Sequence, residues 1–131
     1  MPKTTPAILI VEDDLALNEA YSLLLNQAGY QVRAAFNGQE ALQILRDWTP
    51  GLIFLDLRMP VMDGLTFLKH FKPHDHPETE VVIFSNYDMQ KEVDQAYELG
   101  ADRYVLKAWA SPKELLQIVE HTFRSTSRVS R

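Results

Sequence analysis

The feature that most constrains the fold is an alternation of short apolar runs with stretches of helical spacing. Four runs are continuous or nearly continuous in apolar residues: Ala7 to Val11, Leu52 to Leu55, Val81 to Phe84 and Tyr104 to Leu106. Runs of this length are typical of parallel strands that are buried on both faces. A fifth run, Gln31 to Phe36, alternates polar and apolar residues and indicates a strand near a sheet edge.

The stretches that follow the runs predict five helices, because apolar residues recur on one face of each. Gly29 and Gly100 are placed to end the first and the fourth helix. The fifth helix has the clearest beginning. Ser111 is a candidate N-cap, Pro112 occupies the first helical position, and Glu114 completes a capping box.

Strand and helix therefore alternate five times along the chain. This order predicts an α/β fold with a doubly wound, mostly parallel sheet and helices on both faces, because right-handed crossovers place them there. A chain of 131 residues has room for one domain. We expect its core to run from about residue 7 to about residue 123. Residues 124–131 are rich in Ser, Thr and Arg, and we expect them to fray or to begin a linker.

The composition excludes several classes of function. The chain has no cysteine, so disulfides, thiolate metal sites and cysteine nucleophiles are ruled out. A net charge of −5 argues against nucleic-acid binding over the whole surface. No apolar run approaches the roughly 20 residues that span a bilayer, and the first residues lack the apolar stretch of a secretory signal. We therefore expect a cytoplasmic protein that contacts neither membranes nor nucleic acid directly.

Polar residues follow each of the four buried runs. Glu12 and Asp13 come after the first run, Asp56 after the second, Ser85 after the third and Lys107 after the fourth. Because the carboxyl ends of parallel strands share one edge of the sheet, we expect these side chains to converge. A single polar residue of this kind would indicate only a solvated loop. Four strands that supply carboxylates, a hydroxyl and an amine point instead to one site.

The mixture of groups favours phosphoryl chemistry. Neighbouring carboxylates repel one another and bind a hard divalent cation such as Mg²⁺. An amine and a hydroxyl opposite them can bind phosphoryl oxygens, while a metal neutralises the charge that develops during transfer. A carboxylate can itself act as the nucleophile and form an acyl phosphate.

Three segments of the sequence resemble the signature segments of response-regulator receiver domains in two-component signalling. They are Ile8 to Asp14 (ILIVEDD), Leu55 to Gly64 (LDLRMPVMDG) and Gly100 to Lys107 (GADRYVLK). The segment around Asp56 is highly specific, and the similarity extends over nearly the whole chain. The resemblance implies a flavodoxin-like, five-stranded sheet in the strand order 2-1-3-4-5.

The resemblance also implies a phosphoacceptor and a metal site. Asp56 would accept the phosphoryl group. Asp13 would be a direct Mg²⁺ ligand, and Glu12 would be the second acid, acting through water. Arg58 would offer its backbone carbonyl to the metal.

Three further positions match residues of the family's switch. Ser85 would bind a phosphoryl oxygen and move when it arrives, Tyr104 matches the aromatic residue whose rotamer reports the switch, and Lys107 matches the family's invariant basic residue. A sensor histidine kinase or a phosphotransfer protein would donate the phosphoryl group. The face around the fourth helix, fifth strand and fifth helix would then bind a protein effector. Such a domain catalyses only its own phosphorylation and dephosphorylation.

Three departures from the family pattern bear on rates rather than on class. Glu12 replaces the commoner aspartate, Asn86 follows the hydroxyl residue where alanine or glycine is usual, and Ala108 follows Lys107 where proline is usual. The proline bond is typically cis, but a cis bond before alanine costs about 2.5–4 kcal/mol. We therefore predict a trans Lys107–Ala108 bond, with the Lys107 amine still near Asp56.

Two other functions compete with this interpretation. Haloacid-dehalogenase-type enzymes also use an aspartyl nucleophile, but they need an acid two residues later, where this chain has Arg58, and we reject that class. A receiver-like interaction module that is never phosphorylated remains open, and Asn86 and Ala108 are the residues that favour it.

Two minor signals are weighed against simpler explanations. The group formed by His70, His74 and His76 could bind a metal, but a proline-flanked loop of this kind is far more often a solvated turn. Trp109 either packs beneath its loop or anchors a partner, and its loop-like surroundings favour the partner.

Overall fold

Strands and helices alternate along the chain as the sequence predicts. The computed structural model describes residues 6–86, 90–109 and 111–129. It describes their side chains except those of residue 109 and residues 125–129. The strands are β1 (Ala7–Val11), β2 (Gln31–Ala35), β3 (Leu52–Leu55), β4 (Glu80–Ser85) and β5 (Arg103–Leu106). The helices are α1 (Leu15–Gln27), α2 (Gly38–Ile44), α3 (Gly64–Phe71), α4 (Gln90–Glu98) and α5 (Pro112–Val129), with 3₁₀ turns at Pro73–Asp75 and Lys107–Trp109.

All five strands form one parallel sheet in the order β2-β1-β3-β4-β5, which confirms the predicted order. Strand β1 pairs with β2 on one side and β3 on the other, so that Val11 lies opposite both Ala35 and Leu55. Every residue of β3 is buried, whereas β2 alternates between exposed and covered residues. The end position of β2 in the strand order confirms it as an edge strand.

Helices cover both faces of the sheet, and each face has its own apolar core. Helices α2, α3 and α4 pack on one face through buried residues such as Ala41, Phe67 and Ala96. Helices α1 and α5 pack on the other through Leu25 and Leu115. Within the described part of the chain, no helix is both long enough and apolar enough to cross a membrane.

The ends of the helices follow from local sequence. Gly29 and Gly100 have φ angles of 102° and 110°, a region that suits glycine and ends α1 and α4. At α5 the Glu114 N–H donates to the Ser111 hydroxyl at 3.2 Å, and the Ser111 N–H donates to the Glu114 carboxylate at 3.0 Å. These reciprocal bonds confirm the capping box. Helix α5 then continues to Val129, into the segment that we expected to fray.

Candidate functional site

Carboxylates from two neighbouring strands meet at the carboxyl edge of the sheet. Glu12 and Asp13 follow β1, and Asp56 follows β3. One oxygen from each of the three carboxylates lies within 4.8 Å of the other two. Glu12 and Asp56 are buried and Asp13 is exposed. Oxygen ligands at this spacing, open to solvent on one side, fit a hard divalent cation that keeps several waters.

The amine of Lys107 lies beside two of these carboxylates, Glu12 and Asp56. Its ammonium forms an ion pair with the Glu12 carboxylate and lies 3.3 Å from Asp56 Oδ2. Only 7% of the Lys107 side chain is exposed. The Lys107–Ala108 bond is trans, since the described backbone contains no cis bond. Both parts of the prediction for this loop are confirmed: the bond is trans, and the amine is close to Asp56.

Burial and charge act in opposite directions on the two partners of this ion pair. Burial raises the pKa of Glu12 above its usual 4.5, and the hydrogen bonds from Lys107 and the Asp14 N–H offset this only in part. For Lys107, burial by itself lowers the pKa, but the hydrogen bond to Glu12 and the charge of Asp56 outweigh it. The net effect raises the pKa of Lys107 above 10.5, so the amine is a cation at neutral pH.

Backbone hydrogen bonds fix the position of Asp56. Its N–H donates to the Val11 carbonyl at 3.0 Å, which anchors the residue to β1. The Arg58 N–H donates to Asp56 Oδ1 at 3.2 Å, while Lys107 faces Oδ2. Each carboxylate oxygen thus has a donor of its own, and this arrangement holds the side chain in one orientation.

An apolar wall borders the carboxylates on the side of α1 and α5. A small cavity against Glu12 and Asp56 is lined by the side chains of Tyr21, Phe54 and Phe84. The rings of Tyr21 and Phe84 meet edge to face, with centroids 5.3 Å apart. Burial raises the pKa of Tyr21 above 10.0. Apolar walls lower the local dielectric constant and strengthen the interactions of charged groups in the site.

Asn18, on α1, binds the backbone of the site, and the sequence analysis missed it. Its buried side-chain amide donates to the carbonyls of Glu12 at 2.9 Å and Ala35 at 3.0 Å. These bonds join α1 to the ends of β1 and β2. A signal was present in the sequence, because Asn18 shares the helix face of Tyr21 and Leu25 at helical spacing. An amide on an apolar face needs buried partners.

Gly64 allows the loop after β3 to return close to Asp56. It is the first residue of α3, and its N–H donates to the Leu57 carbonyl at 2.9 Å. A Cβ atom at this position would lie 2.6 Å from the Asp56 carbonyl oxygen and 2.7 Å from the Leu57 Cα. Both neighbours are backbone atoms, which cannot move aside as a side chain can.

We predict that Gly64→Ala destabilises the protein by about 1–3 kcal/mol, the usual cost of overpacking a buried position. Urea unfolding of both proteins measures the change in the free energy of unfolding. Helix propensity alone predicts the opposite sign, since alanine is favoured over glycine by about 1 kcal/mol within a helix. A more stable Gly64→Ala variant would therefore show that the close approach to Asp56 does not constrain this position.

The remaining predicted residues lie on β4 and β5 and in the segments that follow these strands. Ser85 ends β4, the neighbour of β3, and is fully buried at the same edge of the sheet. Tyr104 lies inside β5 opposite Ile83, and packs half-buried against the core beneath α2, α3 and α4. Asn86 is exposed just beyond Ser85. The Trp109 side chain, our candidate partner anchor, lies outside the described residues.

The three histidines of the candidate metal group lie on α3 and in the segment that follows it. His70 lies on α3 and His74 in the 3₁₀ turn that follows it. The His76 ring stacks on Phe71 with centroids 4.3 Å apart, and its Nδ1 lies 3.6 Å from a Glu78 carboxylate oxygen. Among the described residues, the group that brings three candidate metal ligands together is the one at the sheet edge. The structure therefore offers a packing role for His76.

Known proteins similar to this chain include transcriptional regulators. The transcriptional regulatory protein AfsQ1 of Streptomyces coelicolor is 34% identical over 102 residues, which are 78% of this chain and 44% of AfsQ1. The regulator RpaA of Synechocystis, described as DNA-binding, is 30% identical over 125 residues, 95% of this chain and 52% of RpaA. The chain thus spans about half the length of these relatives.

Solved structures of receiver domains have the same fold. A CheY-like receiver domain protein from Methanospirillum hungatei superposes with a TM-score of 0.88 at 24% identity, covering 95% of this chain and 98% of that one. The receiver domain of Francisella response regulator 1452 superposes with a TM-score of 0.82 at 27% identity, covering 93% and 99%.

The family model of the response regulator receiver domain matches residues 8–120, which is most of the chain. This match covers all of the sheet except Ala7, and it includes all three sequence segments on which the resemblance depended. The chain belongs to the response regulator receiver domain family.

Proposed function

We propose that this domain is a signalling switch that accepts one phosphoryl group on Asp56 and thereby changes its binding to a protein partner. The observation that carries the proposal is the position of the Lys107 ammonium, 3.3 Å from Asp56 Oδ2 and paired with the Glu12 carboxylate. A cation here can bind the oxygens of a phosphoryl group attached to Asp56. The same arrangement has no evident use in a module that only packs against partners.

The proposed chemistry needs one nucleophile and a donor. A carboxylate oxygen of Asp56 attacks the phosphorus of a phosphohistidine on a histidine kinase or phosphotransfer protein. The phosphorus–nitrogen bond breaks, and the imidazole leaves with the electron pair and gains a proton. Lys107 and the hydroxyl of Ser85 bind the oxygens of the transferred group. Attack of water on the phosphorus later restores the carboxylate and releases phosphate, so the domain acts on no substrate except its own acyl phosphate.

Mg²⁺ is the cation that the site would hold. The carboxylates of Glu12, Asp13 and Asp56, with the carbonyl of Arg58, would be its protein ligands or would bind its waters. When bound, such an ion would neutralise the charge that develops on the phosphoryl oxygens. The fit rests on the donor set, since three carboxylate oxygens within 4.8 Å of one another are hard ligands of suitable spacing.

The partners follow from the same proposal. A sensor histidine kinase or phosphotransfer protein supplies the phosphoryl group in the cytoplasm, and an effector protein binds the face formed by α4, β5 and α5. RpaA, which is about twice as long as the matched region, is described as DNA-binding. For this domain we propose no direct contact with nucleic acid, because its net charge is −5.

We predict that incubation with acetyl phosphate and Mg²⁺ adds one phosphoryl group to the intact protein, and that removal of Mg²⁺ with a chelator prevents it. Intact-protein mass spectrometry measures both outcomes. Acetyl phosphate replaces the kinase, because attack of Asp56 on its phosphorus releases acetate. A protein that stays unmodified at any concentration of donor and Mg²⁺ would instead support the unphosphorylated interaction module.

The proposed switch predicts that phosphorylation changes the structure at a distance from Asp56. Beryllofluoride, a stable analogue of the phosphoryl group, should shift amide resonances around Tyr97 and Tyr104 as well as those beside Asp56. The reason is that Ser85 borders the site while its strand β4 pairs with β5, which carries Tyr104. Two-dimensional amide NMR detects the shifts. Changes confined to the neighbours of Asp56 would contradict a switch that reaches the partner face.

A further inference from the structure

An ion pair joins the loop after the phosphoacceptor strand to helix α4. Arg58 Nη2 lies 3.1 Å from Glu92 Oε1, although the two residues are 34 positions apart in the chain. Both side chains are partly exposed, 46% for Arg58 and 28% for Glu92. Glu92 lies in the first turn of α4. The contact therefore joins the loop after β3 to α4, the helix that follows β4.

The same arginine is next to the phosphorylation site. Arg58 lies two residues after Asp56, and its backbone N–H already donates to Asp56 Oδ1 at 3.2 Å. Its side chain is long and ends in a planar guanidinium, which binds carboxylates and phosphates with the same pair of N–H donors. The group that holds Glu92 is thus also suited to hold a phosphoryl group on Asp56.

We propose that the Arg58 guanidinium is a ligand of the phosphoryl group and that Glu92 competes with this group for it. The inference rests on the proposed phosphorylation of Asp56. It assigns to the Arg58 side chain a role separate from that of its backbone carbonyl, and to Glu92 the role of a positioning residue that withholds the guanidinium in the unphosphorylated domain.

Charge decides the direction of the exchange. Glu92 carries one negative charge, whereas a phosphoryl group carries about 1.5 to 2 at neutral pH. An exposed ion pair such as Arg58–Glu92 is weak and easily broken. Arrival of the phosphoryl group therefore draws the guanidinium away from Glu92 and detaches the first turn of α4 from the loop. By reciprocity, any partner that pulls α4 away from Arg58 strengthens the hold on the phosphoryl group.

The test is the affinity for beryllofluoride, in the presence of Mg²⁺, of four proteins: the wild type, Glu92→Gln, Arg58→Gln and the double variant. Glu92→Gln should bind beryllofluoride roughly two- to fivefold more tightly, the range expected for loss of one exposed competing pair. Arg58→Gln should bind it more weakly. In the double variant, the substitution at Glu92 should have no further effect, because the guanidinium for which it competes is gone.

Glu98→Gln is the matched control. It removes the same charge from the exposed far end of the same helix, and its affinity should equal that of the wild type. If Glu92→Gln tightens beryllofluoride binding equally with and without Arg58, the lost charge acts through the general electrostatic field at the site and not through the guanidinium, and the proposal is wrong. If Glu92→Gln leaves the affinity of the wild type unchanged, the proposal is also wrong.

A direct readout excludes a purely structural role. The Nε resonance of Arg58, assigned by its loss in Arg58→Lys, should move when beryllofluoride binds, and a resonance that stays in place would overturn the proposal. Failure of the proposed function has a different signature. In that case the wild type itself binds no beryllofluoride and takes no phosphoryl group, and both proposals are wrong. If the wild type binds beryllofluoride but Arg58 and Glu92 show no coupling, only the proposed exchange of the guanidinium is wrong.

Discussion

Asp56→Asn should take up no phosphoryl group from acetyl phosphate under conditions that fully modify the wild type. An amide has no carboxylate oxygen to attack phosphorus, and Asp56 is the carboxylate whose two oxygens are held by Arg58 and Lys107. Its amide can still accept the hydrogen bond from the Arg58 N–H, so the loop should keep its shape. The intact mass of the two proteins after incubation measures the difference.

Asp63→Asn is the control for this experiment. Asp63 is the N-cap of α3, and its Oδ1 accepts the Thr66 N–H at 2.9 Å. Asparagine caps helices about as well as aspartate, so the variant makes the same chemical change outside the site and should be modified like the wild type. A full phosphoryl adduct on Asp56→Asn would contradict the assignment, and peptide mapping would then show whether Glu12 or Asp13 carries it.

The place of the site could be predicted because it depends on topology. Once the buried runs are identified as parallel strands, their carboxyl ends share an edge, and the residues after them must meet there. This reasoning located Glu12, Asp13 and Asp56 together and placed the Lys107 amine beside Asp56. The trans bond before Ala108 was predictable for a different reason, since a cis bond before alanine carries a large intrinsic cost.

The contacts that depend on long side chains could not be predicted. Whether Lys107 binds Glu12 as well as Asp56 depends on rotamers and on the depth of the site, neither of which has a sequence pattern. The bond between Arg58 and Glu92 depends on how closely α4 approaches the loop after β3. Asn18 is an intermediate case, because its place on an apolar helix face was visible but its two carbonyl partners come from separate strands.

Asp13→Ala should weaken Mg²⁺ binding more than any substitution outside the site. Asp13 is the exposed member of the three carboxylates, and neither of the two that remain replaces it on the solvent side. Loss of an outer-shell partner alone typically costs about 10–100-fold in metal affinity, and we expect loss of a direct ligand to cost at least as much. Isothermal titration of the two proteins with Mg²⁺ measures the change.

The same substitution should leave the metal-free protein folded and raise its stability. Without a cation, Asp13 repels the ionised carboxylates beside it, and removal of its charge relieves that repulsion. Glu19→Ala, on the exposed face of α1, removes one charge elsewhere and should keep the wild-type affinity for Mg²⁺. Urea unfolding without Mg²⁺ then separates the two effects. If Asp13→Ala binds Mg²⁺ as tightly as Glu19→Ala does, Asp13 is not a ligand; if it is also less stable than the wild type, its carboxylate has a structural role instead.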